Sequence, residues 1–449
     1  MSQRKRSFSD VSSGIGWVGG RGRRCIVDPF IPIWSAVIIN LVATPTLGQI
    51  LGMRFLGLYI LLALCGSSIA GCEKKLDEHA VADSTVPTVG LIVDDTIPDE
   101  YKIPLLIAQT GPGALDTITG KIERRGGYSI GFPKHSYEID LEEDVSLAGL
   151  PADDDWILNA NYIDKTFLRH VISYELFREM HPDNRAPRCA YVEVELNGNY
   201  QGLYVLMEKL DRSTLEVQKG DPAAVIFKEP LLFRPNYSRI EPERPGNLHH
   251  QTYPKIKDKD RNSLIDSLHR LLTQTSEERI FAEVQKHFDL RNLVDWHLLL
   301  LITNNQDGLL KNFYLYRTDS TTPLRIARWD YDHSFGRDGD GERNLNERTL
   351  DGRRSLLFSR LLDDWRYINL LKRRWQELNR TGLLSVGGLT KRVQSKAARL
   401  NGLTAKNFAR WPTDDKWYYD DNGFEQELQL LIDFIPIRHA YVNDYLNRL

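Results

Sequence analysis

The chain has 449 residues, of which 41% are hydrophobic and 27% are charged, and its formal net charge at pH 7 is −3. This composition is that of a globular protein and excludes a disordered or fibrous one. Because the charge is close to balanced, no basic surplus is available for a phosphate backbone, and we expect no nucleic-acid partner.

Residues 1–71 contain a segment typical of protein targeting. A basic start at Met53 precedes an apolar run at 55–64, and small residues then lead to the sequence Ile-Ala-Gly-Cys at 69–72. A positive start, an apolar run too short for a membrane span and small residues before a cleavage point define a secretion signal. The last four residues resemble the lipobox of bacterial lipoproteins, so we predict that Cys72 is lipidated.

The signal also indicates how the chain begins. A lipoprotein signal normally starts at the translation start, so Met53 is interpreted as the true start. The alternative is a first membrane segment near residues 31–51, where prolines and polar residues make a poor span. Residues 72–87 are predicted to be a polar tether. The expected location is therefore outside the cytoplasm, lipid-anchored to a bacterial membrane, with the outer membrane left open by Glu73.

Residues 88–213 are predicted to form a strand-rich lobe. Short alternating segments punctuated by glycine, which are typical of an antiparallel sheet, occupy residues 89–93, 119–124, 129–132 and 136–141. Apolar residues at helical spacing predict a helix over residues 164–180. Asn197-Gly198 between two alternating runs predicts a tight hairpin.

The second half of the chain differs from the first in composition and in its predicted elements. Residues 214–260 are rich in Pro, Lys and Asp and are interpreted as a loop-bearing insert. Residues 261–449 are predicted to be a helical lobe that also carries the catalytic loop. Its predicted elements are helices at 261–272, 277–288 and 290–302, strands at 313–317 and 324–329, and further helices from residue 355 onward. Asp289 is the predicted N-cap of the third helix, and the expected fold class is α+β.

A polar loop follows the third of these helices and precedes a strand. Phosphoryl transfer needs a carboxylate to orient the attacking hydroxyl and oxygen ligands to hold magnesium. Protein kinases place a metal-binding Asn five residues after the catalytic-loop Asp, and Asp307 and Asn312 have this spacing. Taken alone, the two residues could equally be turn formers or caps.

A second acidic pair follows the predicted strand hairpin. Asp330 and Asp332 alternate onto one face of a strand, with Trp329 and Tyr331 on the other. Kinases hold their metal with an Asp in this position. The two acids could alternatively bind nearby backbone amides. The order of the elements favours a metal site made by Asn312, Asp330 and Asp332, with Asp307 beside the same cation.

Four short strings along the chain carry a family signature. They are Asp-Trp-Ile-Leu-Asn-Ala at 155–160, Asp164 with Leu168-Arg169, Leu-Asn-Gly-Asn-Tyr-Gln-Gly-Leu-Tyr at 196–204 with Glu208, and Trp-Asp-Tyr-Asp at 329–332 with Phe335-Gly336. From about residue 88 to the C-terminus, the chain resembles the spore-coat CotH family. The resemblance implies an atypical protein-kinase-like fold of two lobes and ATP-dependent phosphorylation of secreted or surface proteins. It also implies that Asp307 is the catalytic acid and Asp330 a metal-binding acid.

A glycine-bearing turn is the candidate phosphate site. Gly126, Gly127 and Ser129 lie in it, and Lys134 follows at the start of a predicted strand. Glycines let backbone N–H groups approach phosphate oxygens, and a lysine supplies positive charge. Lys134 is similar to the lysine in the family pattern Phe-Pro-Lys-Lys-Ser-Tyr and is assigned to the ATP phosphates. An ordinary hairpin with a solvent-facing lysine is the structural alternative.

Four further residues complete the predicted nucleotide site. Glu175, on the helix after the sheet, is the predicted ion-pair partner of Lys134. Glu208 is expected to contact adenine or ribose, or to cap the linker between the lobes. Lys228 is a second candidate for the phosphate lysine, and His333 is expected to support the metal ligands from outside.

These residues predict phosphoryl transfer that uses ATP and Mg²⁺ (or Mn²⁺), with the acceptor on a secreted or cell-surface protein, at Ser or Thr. Two alternatives stay open. One is a surface adhesion or assembly lipoprotein that kept the fold without turnover, because His135 and Gly127-Tyr128 depart from the family pattern. The other is a metal-dependent phosphoesterase that uses the same acids without Lys134.

Overall fold

A computed structural model of the protein describes residues 86–235, 247, 249–337, 352–414 and 420–449. These residues contain eleven β-strands and nine α-helices. The predicted start at Met53, the lipidation site Cys72 and nearly all of the predicted tether lie outside the described residues.

Seven strands form a closed barrel in the first part of the described chain. They are β1 (Thr88–Ile92), β2 (Ile103–Thr110), β3 (Leu115–Arg125), β4 (Ser136–Val145), β5 (Asp153–Asn159), β6 (Cys189–Leu196) and β7 (Asn199–Glu208). They pair in the order β1-β2-β3-β4-β5-β7-β6. Every pair is antiparallel except β1 with β6, which run parallel and close the barrel with Thr88 opposite Glu193. The expected antiparallel sheet is therefore present, but its two edges meet.

Two turns of the barrel show how local sequence decides local structure. Asn197 and Gly198 both have positive φ values, of 49° and 75°, as the predicted tight hairpin requires. The predicted strand at 129–132 is wrong, because Tyr128–Gly131 form a short 3-10 helix. Gly126 has a φ of 141°, so the chain leaves β3 sharply and cannot continue as an extended strand.

A second sheet of four strands lies outside the barrel. It contains β8 (Val225–Lys228), β9 (Gln251–Tyr253), β10 (Phe313–Arg317) and β11 (Arg325–Arg328), in the order β11-β10-β8-β9. Residues 214–260, expected to be a loop-bearing insert, thus supply two of its strands. Val225, Ile226 and Phe227 are almost completely buried in the sheet. In the sequence they form a short apolar run surrounded by polar residues, and such a run did not indicate a strand.

The helices dominate the second half, as predicted. They are α1 (Arg169–Met180), α2 (Asn262–Gln274), α3 (Glu277–His287), α4 (Leu290–Thr303), α5 (Leu356–Leu361), α6 (Trp365–Arg380), α7 (Val386–Ala398), α8 (Leu403–Arg410) and α9 (Phe424–Arg448). The α+β class is confirmed. None of the helices in the described part of the chain has both the length and the hydropathy to cross a bilayer.

Helix α4 is the centre of the helical part. It packs against α1, α6 and α9, and nearly all its side chains are buried, as expected for a helix that is predominantly apolar. Asp289 caps it, as predicted, by accepting hydrogen bonds from the backbone N–H groups of Arg291 and Asn292 at 3.0 and 3.1 Å. The helix ends at Asn304 in a left-handed conformation, which directs the chain into the loop that carries Asp307.

Candidate active site

A cleft of about 600 Å³ lies where the barrel, α1, β8 and the segment after β11 meet. The cleft brings together most of the residues that the sequence singled out: Gly126, Gly127, Ser129, Lys134, Lys228, Asp330 and Asp332. Elements far apart in the chain therefore build one concave site, the arrangement expected of a ligand pocket.

Three ligand-type side chains meet at one wall of this cleft. His170 on α1 and the two acids Asp330 and Asp332 each offer a donor atom, and the three atoms lie within 4.8 Å of one another. His170 Nε2 is 3.1 Å from Asp330 Oδ1. We call His170, Asp330 and Asp332 the three-donor group. Among the residues that the structure describes, it is the only cluster of at least three His, Cys, Asp or Glu side chains this compact.

A backbone turn, not a strand, aims the two acids. Strand β11 ends at Arg328, and Asp330 adopts a left-handed conformation with a φ of 54°. Its N–H donates to the hydroxyl of Tyr174 at 2.8 Å, and its carbonyl accepts from the side-chain amide of Asn305 at 3.3 Å. The predicted convergence of the two acids is confirmed, but its cause is this held turn and not strand alternation.

The pKa values of the two acids shift in opposite directions. Burial opposes ionisation of Asp330, but the hydrogen bond and charge of His170 outweigh it and hold the pKa of Asp330 below its ordinary value. Burial and the neighbouring charge of Asp330 raise the pKa of Asp332 well above its ordinary value. Burial lowers the pKa of His170, yet the hydrogen bond to Asp330 and the nearby carboxylates give a net rise.

This arrangement fits a divalent cation. Two carboxylates this close need a proton or a cation between them, and the Nδ1 atom of buried His170 has no hydrogen-bond partner in the described structure. Carboxylate oxygens suit Mg²⁺ and Mn²⁺, whereas an imidazole nitrogen suits Mn²⁺ better than Mg²⁺. The three-donor group thus has a donor set that can hold either ion.

Asp307 stands next to the three-donor group, outside it. It lies in a short 3-10 turn, Asp307–Leu309, with its Oδ2 atom 2.9 Å from Lys311 Nζ and 3.8 Å from His333 Nδ1. The other ring nitrogen of His333 is 3.7 Å from Asp332 Oδ1. His333 therefore bridges the candidate catalytic acid and the three-donor group. The predicted place of Asp307 beside the same cation stays a prediction.

Asn312 joins the same region through its backbone. Its φ is 61°, its N–H donates to Glu229 Oε1 at 2.9 Å, and its carbonyl accepts from the N–H of Trp329 at 3.2 Å. These bonds fasten the loop after Asp307 to the residue before Asp330. The role of the Asn312 side chain as a metal ligand stays a prediction.

Lys134 lies in the cleft but is not paired with Glu175. Its ammonium donates to the carbonyls of Ala160, at 2.9 Å, and Leu203, and to Asn407 Oδ1 at 3.1 Å. Glu175 instead binds Arg392 at 3.1 Å and Lys396 at 2.6 Å. The predicted ion pair is therefore wrong, and Glu175 lines a separate cavity on the other side of α1.

Glu208 occupies the junction after β7. Its carboxylate accepts from the backbone N–H of Arg188 at 2.7 Å and from the Arg188 guanidinium at 2.8 Å. These bonds tie the end of β7 to the residue before β6. Both predicted roles of Glu208, a contact with adenine or ribose and a cap of the linker between the lobes, stay predictions.

The two glycines of the turn that borders the cleft differ in the space around them. A Cβ on Gly126 would collide with Ser129 Oγ, whereas a Cβ on Gly127 would meet nothing within 4 Å. The side chain of Tyr128 is 82% exposed at the tip. Gly126 is thus required by geometry, while Gly127 leaves its backbone open to an approaching ligand.

The sequence pointed to the acids but missed His170. This histidine is 160 positions away from Asp330 in the chain and lies in the amphipathic helix that was predicted over 164–180. Its one sequence signal is its place directly after Arg169, the last residue of the resembling string at 164–169, where a polar pair begins an otherwise apolar helical face.

The fold and the cleft define a mixed α+β protein with a candidate metal site beside a glycine turn. The family described as CotH kinase protein matches residues 122–442. The chain therefore belongs to the CotH kinase family, as the resemblance predicted. It is also similar to inner spore coat protein H of Bacillus subtilis (strain 168), with 24% identity over 73% of this chain and 87% of that protein.

Proposed function

We propose that this protein transfers a phosphoryl group from ATP, with Mg²⁺ or Mn²⁺, to a Ser or Thr hydroxyl of a secreted or cell-surface protein. The observation that carries the proposal is the presence, in one cleft, of the three-donor group and a glycine turn with an open backbone. Membership of the CotH kinase family supports it.

In the proposed reaction Asp307 orients the acceptor hydroxyl and receives its proton. The hydroxyl oxygen bonds to the γ-phosphorus while the bond from that phosphorus to the β-phosphate oxygen breaks, which yields a phosphoester and ADP. His333 keeps the acid next to the three-donor group. His170, Asp330 and Asp332 would hold the cation, which when bound neutralises charge on the phosphates. Positioning and charge neutralisation would supply most of the rate.

The proposal includes a two-lobed, kinase-like division of labour. The barrel with its glycine turn would serve the nucleotide, and the helical part would supply the acids and the acceptor side. A location outside the cytoplasm, with a lipid on Cys72 as the membrane anchor, is supported by the signal-like residues 53–72 and by the spore-coat name of the similar protein.

The test is incubation of the purified protein with radiolabelled ATP and Mg²⁺ or Mn²⁺, with transfer to itself and to a generic Ser/Thr protein such as casein as the readout. Asp307→Asn and Asp330→Asn should each reduce transfer at least 100-fold, since each removes a charge that positions reactants. Asp116→Asn, on the exposed face of β3, is the matched control and should transfer normally. Full transfer by either site variant would refute the assignment.

Two outcomes would select the alternative functions instead. Hydrolysis of a simple phosphate ester without any nucleotide would indicate a phosphoesterase. A protein whose melting temperature does not respond to ATP or to the metal would indicate an adhesion or assembly role, because a ligand that binds the native state stabilises it by mass action.

A further inference from the structure

Two lysines line the cleft, and their surroundings differ in kind. Lys134 is 2% exposed, and an ammonium group has three N–H donors. All three are taken by Ala160, Leu203 and Asn407. A phosphate could reach Lys134 only by displacing one of these acceptors, because the ammonium has no further N–H to donate.

The bonds of Lys134 join the barrel to α8. Asn407 Oδ1 accepts from both Lys134 and the backbone N–H of Leu203, at 3.1 Å each. Gly202 makes room for this junction, because a Cβ there would lie 2.5 Å from Asn407 Oδ1 and 3.2 Å from Lys134 Cε. The ammonium also lies over the rings of Tyr204 and Phe167, at 4.3 and 5.0 Å. Lys134 is thus built into the structure as a cross-link.

Lys228, at the end of β8, has a different environment. Its side chain lines the same cleft, it is only partly buried, and Asp330 is among the charged groups that act on it. Within the part of the chain that the structure describes, its ammonium makes no hydrogen bond or ion pair. Its three donors are therefore available to a ligand.

Arg125, at the end of β3 beside the glycine turn, supplies a second cation that lines the cleft. Its guanidinium lies 5.2 Å over the ring of Trp329, and its Nε atom forms an ion pair with Glu138 at 3.8 Å, too long for a hydrogen bond. Lys228 and Arg125 thus bring two positive charges into the cleft that holds the three-donor group.

Building on the proposed function, we infer that Lys228 and Arg125 bind the phosphates of the nucleotide and that Lys134 is a structural cation. This reverses the assignment that the family pattern implies. The ligand class is a polyphosphate anion, recognised by charge-assisted hydrogen bonds.

The test compares ligands that carry and lack the phosphates. Binding of ATP, inorganic tripolyphosphate and adenosine is measured by calorimetry with Mg²⁺ present. Lys228→Met should weaken binding of ATP and tripolyphosphate at least tenfold and leave adenosine unchanged, and Lys228→Arg should restore most of the loss. Lys121→Met, on the exposed face of β3, is the matched control and should bind all three ligands normally.

The second arm uses Lys134→Met, which should lower the melting temperature yet bind tripolyphosphate normally below it. Normal binding of ATP and tripolyphosphate by Lys228→Met would overturn the inference, as would selective loss of tripolyphosphate binding in folded Lys134→Met. If binding depends on Lys228 but no phosphoryl transfer occurs, the proposed function would be wrong and the inference would still hold. Absence of polyphosphate binding in the unaltered protein would end both.

Discussion

Asp330 and His170 are in direct polar contact within the three-donor group, with 3.1 Å between Nε2 and Oδ1. An imidazole in this position either binds the metal itself or orients the carboxylate that binds it. In both cases its loss disturbs the ligand geometry, and losses of ligand-supporting groups typically weaken metal binding 10–100-fold.

We therefore expect His170→Ala to weaken Mn²⁺ binding at least tenfold, measured by titration calorimetry on the purified protein. His181→Ala, at the end of α1 and outside the cleft, should bind Mn²⁺ like the unaltered protein. Equal affinities in all three proteins would show that His170 has no part in the metal site.

Asp155 on β5 is a further acid with a shifted pKa. Burial and a hydrogen bond shared with Asp140 raise the pKa of Asp155 to about 7, while the pKa of Asp140 is lowered. Lys209 lies 3.1 Å from Asp155, and Lys102 binds Asp140 and Glu138. The acid pair thus keeps one proton in the folded protein below about pH 7.

The retained proton makes the unfolding free energy depend on pH in a definite direction. An unfolded Asp titrates near pH 4, so the stabilisation from the retained proton is complete below about pH 4 and is lost as the pH rises to about 7. Asp155→Asn removes the titration, and the difference in unfolding free energy between pH 5 and pH 8, measured in urea, should shrink. An unchanged difference would contradict the assigned proton.

At the scale of elements, Asp289 caps the start of α4, the helix that leads into the loop carrying Asp307. Asp289 accepts two backbone N–H bonds and also pairs with Arg325 Nε at 2.9 Å. Asp289→Ala should lower the unfolding free energy by about 1–2 kcal/mol. Asp289→Asn keeps the cap but not the charge, so it should lose less. Urea unfolding of the two variants measures the difference, and equal losses would assign the effect to the ion pair.

The elements also show what the sequence could predict. Alternation and helical periodicity gave the hairpin at Asn197-Gly198, the three helices α2 to α4 and the hairpin of β10 and β11, because each depends on local contacts. These patterns did not reveal β8 and β9, because both strands are too short for a repeating pattern of apolar residues to be visible. Closure of the barrel could not be predicted either, because the pairing of β1 with β6 depends on contacts far apart in the chain.

Helix α1 illustrates both the success and the error at the site. A helix turns about 100° per residue, so His170 and Tyr174 share one face, whereas Glu175 lies roughly 140° away from His170. The former face lines the cleft, and Glu175 points to the basic residues of α7. Helical geometry alone could have separated Glu175 from Lys134, whereas the position of His170 beside Asp330 required the tertiary structure.

At the scale of the whole molecule, a buried ionic network connects α1 to the C-terminal helix. Arg169 binds Asp164 at 2.5 Å and Glu427 at 3.4 Å, and its Nε donates to the carbonyl of Ser334 at 3.0 Å. Arg337 also binds Glu427. The segment that follows the two acids is therefore fixed between the first and last helices.

Removing Glu427 takes one of two carboxylate partners from each of two buried cations. Arg169 keeps Asp164 and Arg337 keeps Asp420, so we expect Glu427→Ala to lower the unfolding free energy by about 1.5–3 kcal/mol, the range for a hydrogen bond to a charged group. Glu425→Ala, an exposed neighbour in the same helical turn, should change it by less than about 1 kcal/mol. Denaturant unfolding of both variants checks the pair, and similar small losses would mean that the remaining acids and water compensate the two cations.

The closed barrel has a practical consequence for anyone who shortens this protein. The family match begins at Ile122 inside β3 and ends at Val442 inside α9. Trimming to those limits would delete β1 and β2, and it would leave β6 and the remainder of β3 as open edges that invite pairing between molecules. Expression boundaries taken from the family match should thus yield aggregates, whereas a chain that starts at His79 keeps the ring of strands intact.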